Sequence, residues 1–148
     1  AVSDLTSHVG YLLRMVSNAV SHEFARKMAS EGVTVAEWTM LRSLYGEDAV
    51  VPTALARRMG MTRGAISKLA DRLVGKGLIE RTGNPDDRRG QTLSLSRSGK
   101  EKVPVLARLA DDNDAAFLAV LDLDQQGQLR AILHTLIDRH GLSGAPVD

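Results

Sequence analysis

The chain has 148 residues, of which 43% are hydrophobic and 25% charged, a composition typical of one globular domain and not of a disordered segment. Cysteine is absent, which excludes disulfides, thiolate metal sites and thiol chemistry, and an aromatic content of 3% leaves a mainly aliphatic core that favours helices. No apolar run is long enough to span a bilayer and no secretory signal opens the sequence, so we expect a soluble, cytoplasmic protein.

The net charge of +1 hides an uneven distribution along the chain. Residues 51–102 contain twelve basic and five acidic side chains, a net charge of +7, whereas the rest of the chain carries −6. A basic middle between acidic flanks favours a polyanion-binding module on a scaffold that does not bind polyanions. Charge alone leaves open a basic face that is only solvated.

The first predicted element is a long helix. Apolar residues recur at steps of three and four between Leu5 and Phe24, with Ser3 or Asp4 as the predicted cap and Gly32 as the end. A helix of about 25 residues is about twice the mean length, so we expect it to pack on something outside its own small domain.

Three shorter helices follow. Thr34 and Glu37 form a capping box that opens the second helix, and Thr53 is the predicted cap of the third. Gly60 forms a turn before Thr62, the predicted cap of the fourth helix, and this order is typical of a helix-turn-helix. The fourth helix separates an apolar face from a polar face. The polar face consists of Arg63, Gly64, Ser67, Lys68, Asp71 and Arg72.

The hydrophobic period then changes from helical to alternating. Residues 78–82 and 91–96 are predicted strands, and the polar segment 83–90 between them is too long for a tight turn, which predicts a wing. Helical periodicity returns at Ser98, although Pro104 in the first two turns indicates a later start or a bend. Asp122 begins a last helix that Gly141 ends.

The segment from Leu55 to Arg81 closely resembles the MarR (multiple antibiotic resistance regulator) family of bacterial transcription factors. Residues 84–90, the sequence Leu93-Ser-Leu95 and the sequence Ser98-Gly-Lys100 are similar to that family's wing and to the start of its next helix. The order of elements also agrees, with one helix before the winged helix-turn-helix and two after it. The resemblance therefore covers nearly the whole chain.

The resemblance implies a mainly α fold with a small β-wing, in which the terminal helices of two chains interlace as a homodimer. The outer helices also carry more apolar surface than a small winged helix covers, which independently favours a partner. The expected organisation is a single domain, 1–148, with dimerisation helices at 1–32 and 98–141, a winged helix-turn-helix at 34–97 and a tail at 142–148.

The expected function is sequence-specific binding of double-stranded DNA at a palindromic operator, most simply as a repressor. Arg63 is predicted to pair with guanine, Gly64 to allow close approach and Ser67 to contact a base or phosphate. Thr62, Lys68 and Arg72 are predicted phosphate ligands, and Arg72 has the alternative of pairing with an acid of the wing. The resemblance makes Arg89 the minor-groove reader and Asp87 its support, with Arg88 on a phosphate or free.

The family also responds commonly to small aromatic or anionic ligands, which implies a small-molecule effector. The candidate ligand-binding residues lie on the first two helices, and core packing or surface exposure explains each of them better than ligand binding does. These candidates are His8, Tyr11, Met15, Trp38 and Arg42.

Other functions find little support in the sequence. We find no catalytic, cofactor or metal motif, and the four histidines lack the spacing of a metal site, so we expect no enzyme, cofactor or metal. The alternative function is a winged helix that serves protein–protein contact or dimerisation without sequence-specific DNA binding.

Overall fold

The computed structural model describes residues 1–83 and 90–144. A short 3₁₀ turn, Leu5–Ser7, precedes six helices and two strands. The helices are α1 (Val9–Ser30), α2 (Val35–Leu44), α3 (Pro52–Met59), α4 (Arg63–Gly75), α5 (Arg97–Leu118) and α6 (Leu123–Arg139), and the strands are β1 (Ile79–Thr82) and β2 (Thr92–Leu95). These elements confirm the expected mainly α fold with a small sheet. Within the two described ranges, no helix is long and apolar enough to cross a membrane.

The first helix begins later than the sequence predicts. The cap is neither Ser3 nor Asp4, because Asp4 precedes the separate 3₁₀ turn and His8 adopts an extended conformation before α1. The helix therefore has 22 residues and begins at Val9. Its predicted end is confirmed, because Gly32 adopts a positive φ of 76° just beyond it.

Helix caps were otherwise predicted with one error. The capping box of Thr34 and the cap of Thr62 are both present, and each hydroxyl accepts a backbone N–H at 3.1 Å. Thr53, in contrast, lies inside α3, which Val51 caps and Pro52 opens. Proline suits the first helical position because its missing N–H would have no helical partner there.

The core lies in the middle of the chain. Every buried hydrophobic residue of the described segments falls between Met28 and Leu106. These side chains join the end of α1 and the first half of α5 to α2, α3, α4 and the sheet. The winged part therefore shares one core with the end of α1 and the first half of α5, and α4 packs on that core.

The strands β1 and β2 pair antiparallel, from Ile79 opposite Leu95 to Thr82 opposite Thr92, and we call this hairpin the wing. Val50 adds a bridge to Leu93, with backbone N···O distances of 2.9 and 2.8 Å. The alternation seen in the sequence is confirmed, because Leu93 and Leu95 are the buried residues of β2.

Helix α5 joins the wing to the rest of the molecule. Ser96 caps it, so the helix begins at Arg97, one residue before Ser98, and the later start that Pro104 suggested is wrong. Pro104 is accommodated inside the helix. Gly99 is buried, and a Cβ at this position would overlap the carbonyl oxygen of Leu78. This glycine therefore sets how closely the first turn of α5 approaches the start of the wing.

Helix α6 and the outer part of α1 expose their apolar side chains. No residue of α6 is buried. The exposed apolar residues of these two helices are Val9, Leu12, Leu13, Met15 and Val16 on α1 and Leu123, Ile132, Leu133, Leu136 and Ile137 on α6. We call this set the apolar outer face.

Candidate nucleic-acid interface

Helix α4 presents its amino end to solvent. Gly60 ends α3 in the left-handed conformation, with φ of 63°, and makes the sharp turn between α3 and α4 possible. One face of α4 is held in the core by its apolar side chains. These side chains are Ile66, Leu69, Ala70 and Leu73. The orientation of the opposite face is therefore fixed by packing.

The exposed end of α4 has the electrostatic character of an anion site. Free backbone N–H groups and the positive end of the helix dipole lie there, and Arg63 adds a charge in the first turn. The hydroxyl of Thr62 accepts the N–H of Ala65 as a cap, and this bond leaves the hydroxyl hydrogen available to a phosphate oxygen. Arg63, Gly64 and Lys68 are all exposed on this side.

Two other predicted DNA contacts, Ser67 and Arg72, are partly buried or paired within the protein. Ser67 is half-buried and lines a cavity of about 40 Å³ between α3, α4 and the wing. Arg72 is exposed, but its Nη2 lies 3.4 Å from Oε2 of Glu37, on α2. Asp87, Arg88 and Arg89 lie outside the described residues, so their roles stay predictions.

Arg81 is a residue of this surface that the sequence analysis did not single out. It lies on β1 two positions after the buried Ile79, and its Nη1 is 2.5 Å from Oδ1 of Asp71, on α4. Its Nη2 also donates to the carbonyl oxygen of Ser67 at 3.4 Å. Arg81 lies on the same side of β1 as Ile79, but its pairing with Asp71 depends on how β1 packs on α4, which strand alternation does not reveal. Arg81 thus connects the wing directly to α4.

Glu37 is the second residue that was missed in this role. Its side chain is fully buried, and Oε1 accepts the backbone N–H of Thr34 at 2.7 Å and Nζ of Lys76 at 2.9 Å. Burial raises the pKa of the Glu37 carboxyl, but the hydrogen bonds from Lys76 and Thr34 and the charge of Arg72 outweigh burial and hold that pKa below its ordinary value. The carboxylate is therefore charged at neutral pH.

The five candidate ligand-binding residues line neither the cavity beside Ser67 nor the cavity between α1 and α5. His8 and Met15 are exposed, and Tyr11 is half-buried. Trp38 packs on the core, and Arg42 lies over the ring of Tyr45 at 5.6 Å. A cavity of about 230 Å³ between α1 and α5 is lined by other residues. The assignment of the five residues to a ligand stays a prediction.

Comparison with known proteins identifies the relatives of this chain. The MarR family profile matches residues 31–90. A protein assigned to regulation of the hcr operon in Thauera aromatica is 30% identical over 133 residues, which are 89% of this chain and 80% of that protein. The transcriptional repressor MdtR of Bacillus subtilis is 33% identical over 102 residues, which are 69% of this chain and 66% of the repressor.

Solved structures agree with these sequence matches. A probable transcriptional regulator from Pseudomonas aeruginosa has a TM-score of 0.77 at 31% identity, over 90% of this chain and 100% of that one. A mutant of E. coli MarR complexed with operator DNA has a TM-score of 0.76 at 26% identity, over 91% and 99% of the two chains. From its fold, its helix-turn-helix sequence and these relatives, the chain belongs to the MarR family of transcriptional regulators.

Proposed function

We propose that this protein is a homodimeric, sequence-specific binder of double-stranded DNA that represses transcription by occupying a palindromic operator. The observation that carries the proposal is the amino end of α4, capped and basic on the outside and fixed to the core on the inside. In this arrangement α4 enters the major groove and the wing lies against the neighbouring minor groove. The DNA complex of the E. coli relative supports the choice of DNA as the partner.

Base reading is assigned to the first turns of α4. Arg63 is exposed and long enough to form a bidentate pair with guanine, and Gly64 beside it presents no side chain. Thr62 and the helix end bind a phosphate, and Lys68 binds another from the same face. Ser67 is a candidate for a base or phosphate contact at the inner edge of this surface.

The wing supplies the second contact with DNA. The resemblance assigns the minor-groove contact to Arg89, supported by Asp87, with Arg88 near a phosphate. Arginine suits this place because a narrow, A·T-rich minor groove concentrates negative potential. Arg81 holds the base of the wing on α4, which keeps the two contacts in a fixed relation.

Dimerisation is supported by the apolar outer face. Large apolar side chains that one chain leaves exposed on α1 and α6 are those expected to be buried between two chains. A twofold pair of α4 helices reads two half-sites about 34–36 Å apart, which is one turn of DNA. Occupation of such a site in a promoter, in the bacterial cytoplasm, blocks transcription.

A small aromatic or anionic effector would release the DNA by favouring a dimer in which the two α4 helices have another spacing. His8, Tyr11, Met15, Trp38 and Arg42 are its proposed contacts. The test is a thermal-shift screen with aromatic acids, followed by titration of the DNA complex with each compound that raises the unfolding temperature. A compound that stabilises the protein and weakens DNA binding supports the effector, and a screen without such a compound argues for a repressor that needs none.

The experiment that tests the proposed function is selection of duplexes from a randomised DNA pool, with sedimentation to measure mass. We expect a dimer that selects a palindrome and loses about 10³–10⁵ in affinity between 50 and 200 mM salt, as expected when 6–10 phosphates are contacted. Equal, weak affinity for all duplexes would instead favour a winged helix that binds proteins.

A further inference from the structure

The buried carboxylate of Glu37 lies where three helices meet. One of its oxygens accepts two hydrogen bonds, from Thr34 and from Lys76. The other, Oε2, has no hydrogen-bond partner among the described residues and faces Arg72 as an ion pair at 3.4 Å. A buried charge is costly unless it is paired, so the two cations are needed where they are.

The two cations come from the carboxyl end of α4. Arg72 belongs to its last turn and Lys76 follows its last residue. Nζ of Lys76 also donates to the carbonyl oxygen of Gly32, just beyond α1, at 2.7 Å. Lys76 therefore joins the end of α4 to the end of α1 and, through Glu37, to the start of α2.

The end of α1 is in turn fixed to α5. Glu31, next to Gly32, forms an ion pair with Lys102 at 2.6 Å. One turn earlier, Nζ of Lys27 donates to Oδ1 of the buried Asn113 at 3.1 Å. A continuous set of polar contacts thus runs from α5 through the end of α1 to the end of α4, and we call Glu37, Arg72, Lys76 and Gly32 the α4 anchor.

These polar contacts fix the direction of α4, which the burial of its apolar face does not do. Burial of its apolar face is non-directional, whereas charge-assisted hydrogen bonds have a defined geometry. With 13 residues, α4 is about 20 Å long, so a tilt of about 3° at the anchored end moves the opposite end by about 1 Å. Such a shift is enough to spoil hydrogen bonds to bases, which tolerate only a few tenths of an ångström.

We propose that Glu37 is a positioning residue for DNA reading: it holds Lys76 and Arg72 so that α4 meets the DNA at an angle fixed relative to α1 and α5. The inference rests on the proposed function, because it assumes that the amino end of α4 reads bases. In this proposal Lys76 binds Glu37 and Gly32 and does not bind a phosphate. Arg72 likewise pairs with Glu37 in place of the predicted phosphate contact.

The test measures affinity against salt for the duplex that the wild-type protein selects and for a scrambled duplex of equal length. Lys76→Met loses the bonds to Glu37 and Gly32, so we expect about tenfold weaker binding to the selected duplex with an unchanged salt slope. Lys68→Gln is the matched control, because Lys68 lies exposed on the same helix, and its loss should lower the slope by about 1. A slope that falls by about 1 in Lys76→Met would make Lys76 a phosphate contact and overturn the inference.

Glu37→Gln distinguishes positioning of α4 by Glu37 from restraint of two phosphate contacts, because the two roles predict changes in DNA affinity of opposite sign. Glutamine keeps the capping box but removes the charge that holds the cations. Positioning predicts that the ratio of selected to scrambled affinity falls by several-fold, because charge-assisted bonds are about twice as strong as neutral ones. If Arg72 and Lys76 served as phosphate contacts that Glu37 restrains, both affinities would rise together, and that result would overturn the inference.

Failure of this inference is distinguishable from failure of the proposed function. A wild-type protein that selects no duplex refutes the proposed function. A wild-type protein that selects one, with a Glu37→Gln variant of unchanged selectivity, refutes only the positioning role. Thermal unfolding of each variant confirms that the titrations are made on folded protein.

Discussion

Gly64 has no structural use inside its own chain. A Cβ at this position would meet no atom within 4 Å, and its φ is not positive. Glycine in the middle of a helix costs roughly 0.5–1 kcal/mol relative to alanine, which is an upper bound for Gly64 as the second residue of α4. At the exposed amino end of α4, where the proposed function places DNA, glycine leaves space for the DNA backbone or base edges that a side chain would occupy.

We expect Gly64→Ala to raise stability by up to about 1 kcal/mol and to weaken DNA binding at the same time, because the added methyl group fills the space between α4 and the groove. Calorimetry and fluorescence anisotropy measure the two effects. Gly75→Ala, at the other end of α4 and equally unobstructed, is the control that should leave the affinity unchanged. Equal affinities of Gly64→Ala and wild type would remove Gly64 from the interface.

Glu37 also makes stability depend on pH. Because its pKa is lower in the folded protein than the ordinary value of 4.5, the folded state binds the Glu37 proton less tightly than the unfolded state. The resulting stabilisation is fully present above about pH 4.5 and is lost as the pH falls through the lowered folded pKa.

The expected result is a difference in unfolding temperature between wild type and Glu37→Gln that is largest at neutral pH and shrinks in acid. The corresponding difference in the free energy of unfolding at pH 7 should be about 1.5–3 kcal/mol, the range for hydrogen bonds to charged groups. Thermal unfolding between pH 7 and pH 3 measures it. A difference that stays constant over this range would show that the charge of Glu37 does not contribute.

Among the elements, the wing depends on a contact that lies far from its tip. The side chains of Arg81 and Asp71 are 29% and 63% exposed, so the ion pair adds only about 0–1 kcal/mol to stability. Its effect is geometric, because it attaches β1 to the helix that carries the proposed base contacts. Loss of the pair should therefore change DNA binding more than stability.

We expect Arg81→Gln and Asp71→Asn each to weaken binding to the selected duplex by about five- to tenfold, and the double variant to be no worse than either. Anisotropy titrations of the three variants measure this coupling. If Arg81 contacted a phosphate instead, removal of the Asp71 charge would tighten binding.

Arg89→Ala, by comparison, should weaken DNA binding tenfold or more through direct loss of the minor-groove contact while the dimer stays intact.

The elements also show what the sequence could and could not predict. Thr34 and Glu37 were recognised as a cap because the two residues are three positions apart and helix geometry brings them together. The pairs of Glu37 with Lys76 and of Arg81 with Asp71 depend on how separate elements pack, which no local pattern contains. The predicted cap of α3, Thr53, is wrong because threonine is a common cap residue. Pro52 indicated the correct start, since proline is common at the first helical position.

For the whole molecule, the apolar outer face determines the expected assembly. Leu133 and Leu136 of α6 are both 40% exposed in the single chain. We expect the double substitution Leu133→Glu and Leu136→Glu to produce monomers at concentrations where the wild type is a dimer, because burying two carboxylates between apolar helices is costly. Sedimentation measures the mass, and Arg130→Glu on the same helix is the control. A double variant that remains dimeric would place the interface elsewhere.

The bare helix α6 has a consequence for the cell. In the proposed dimer, α6, which has no buried residue in the single chain, packs only when a second chain arrives, so the amount of dimer follows mass action. At low copy number this amount falls with the square of the chain concentration, and promoter occupancy falls with it. Growth without new synthesis would then free the promoter by dilution alone, before any chemical signal is received.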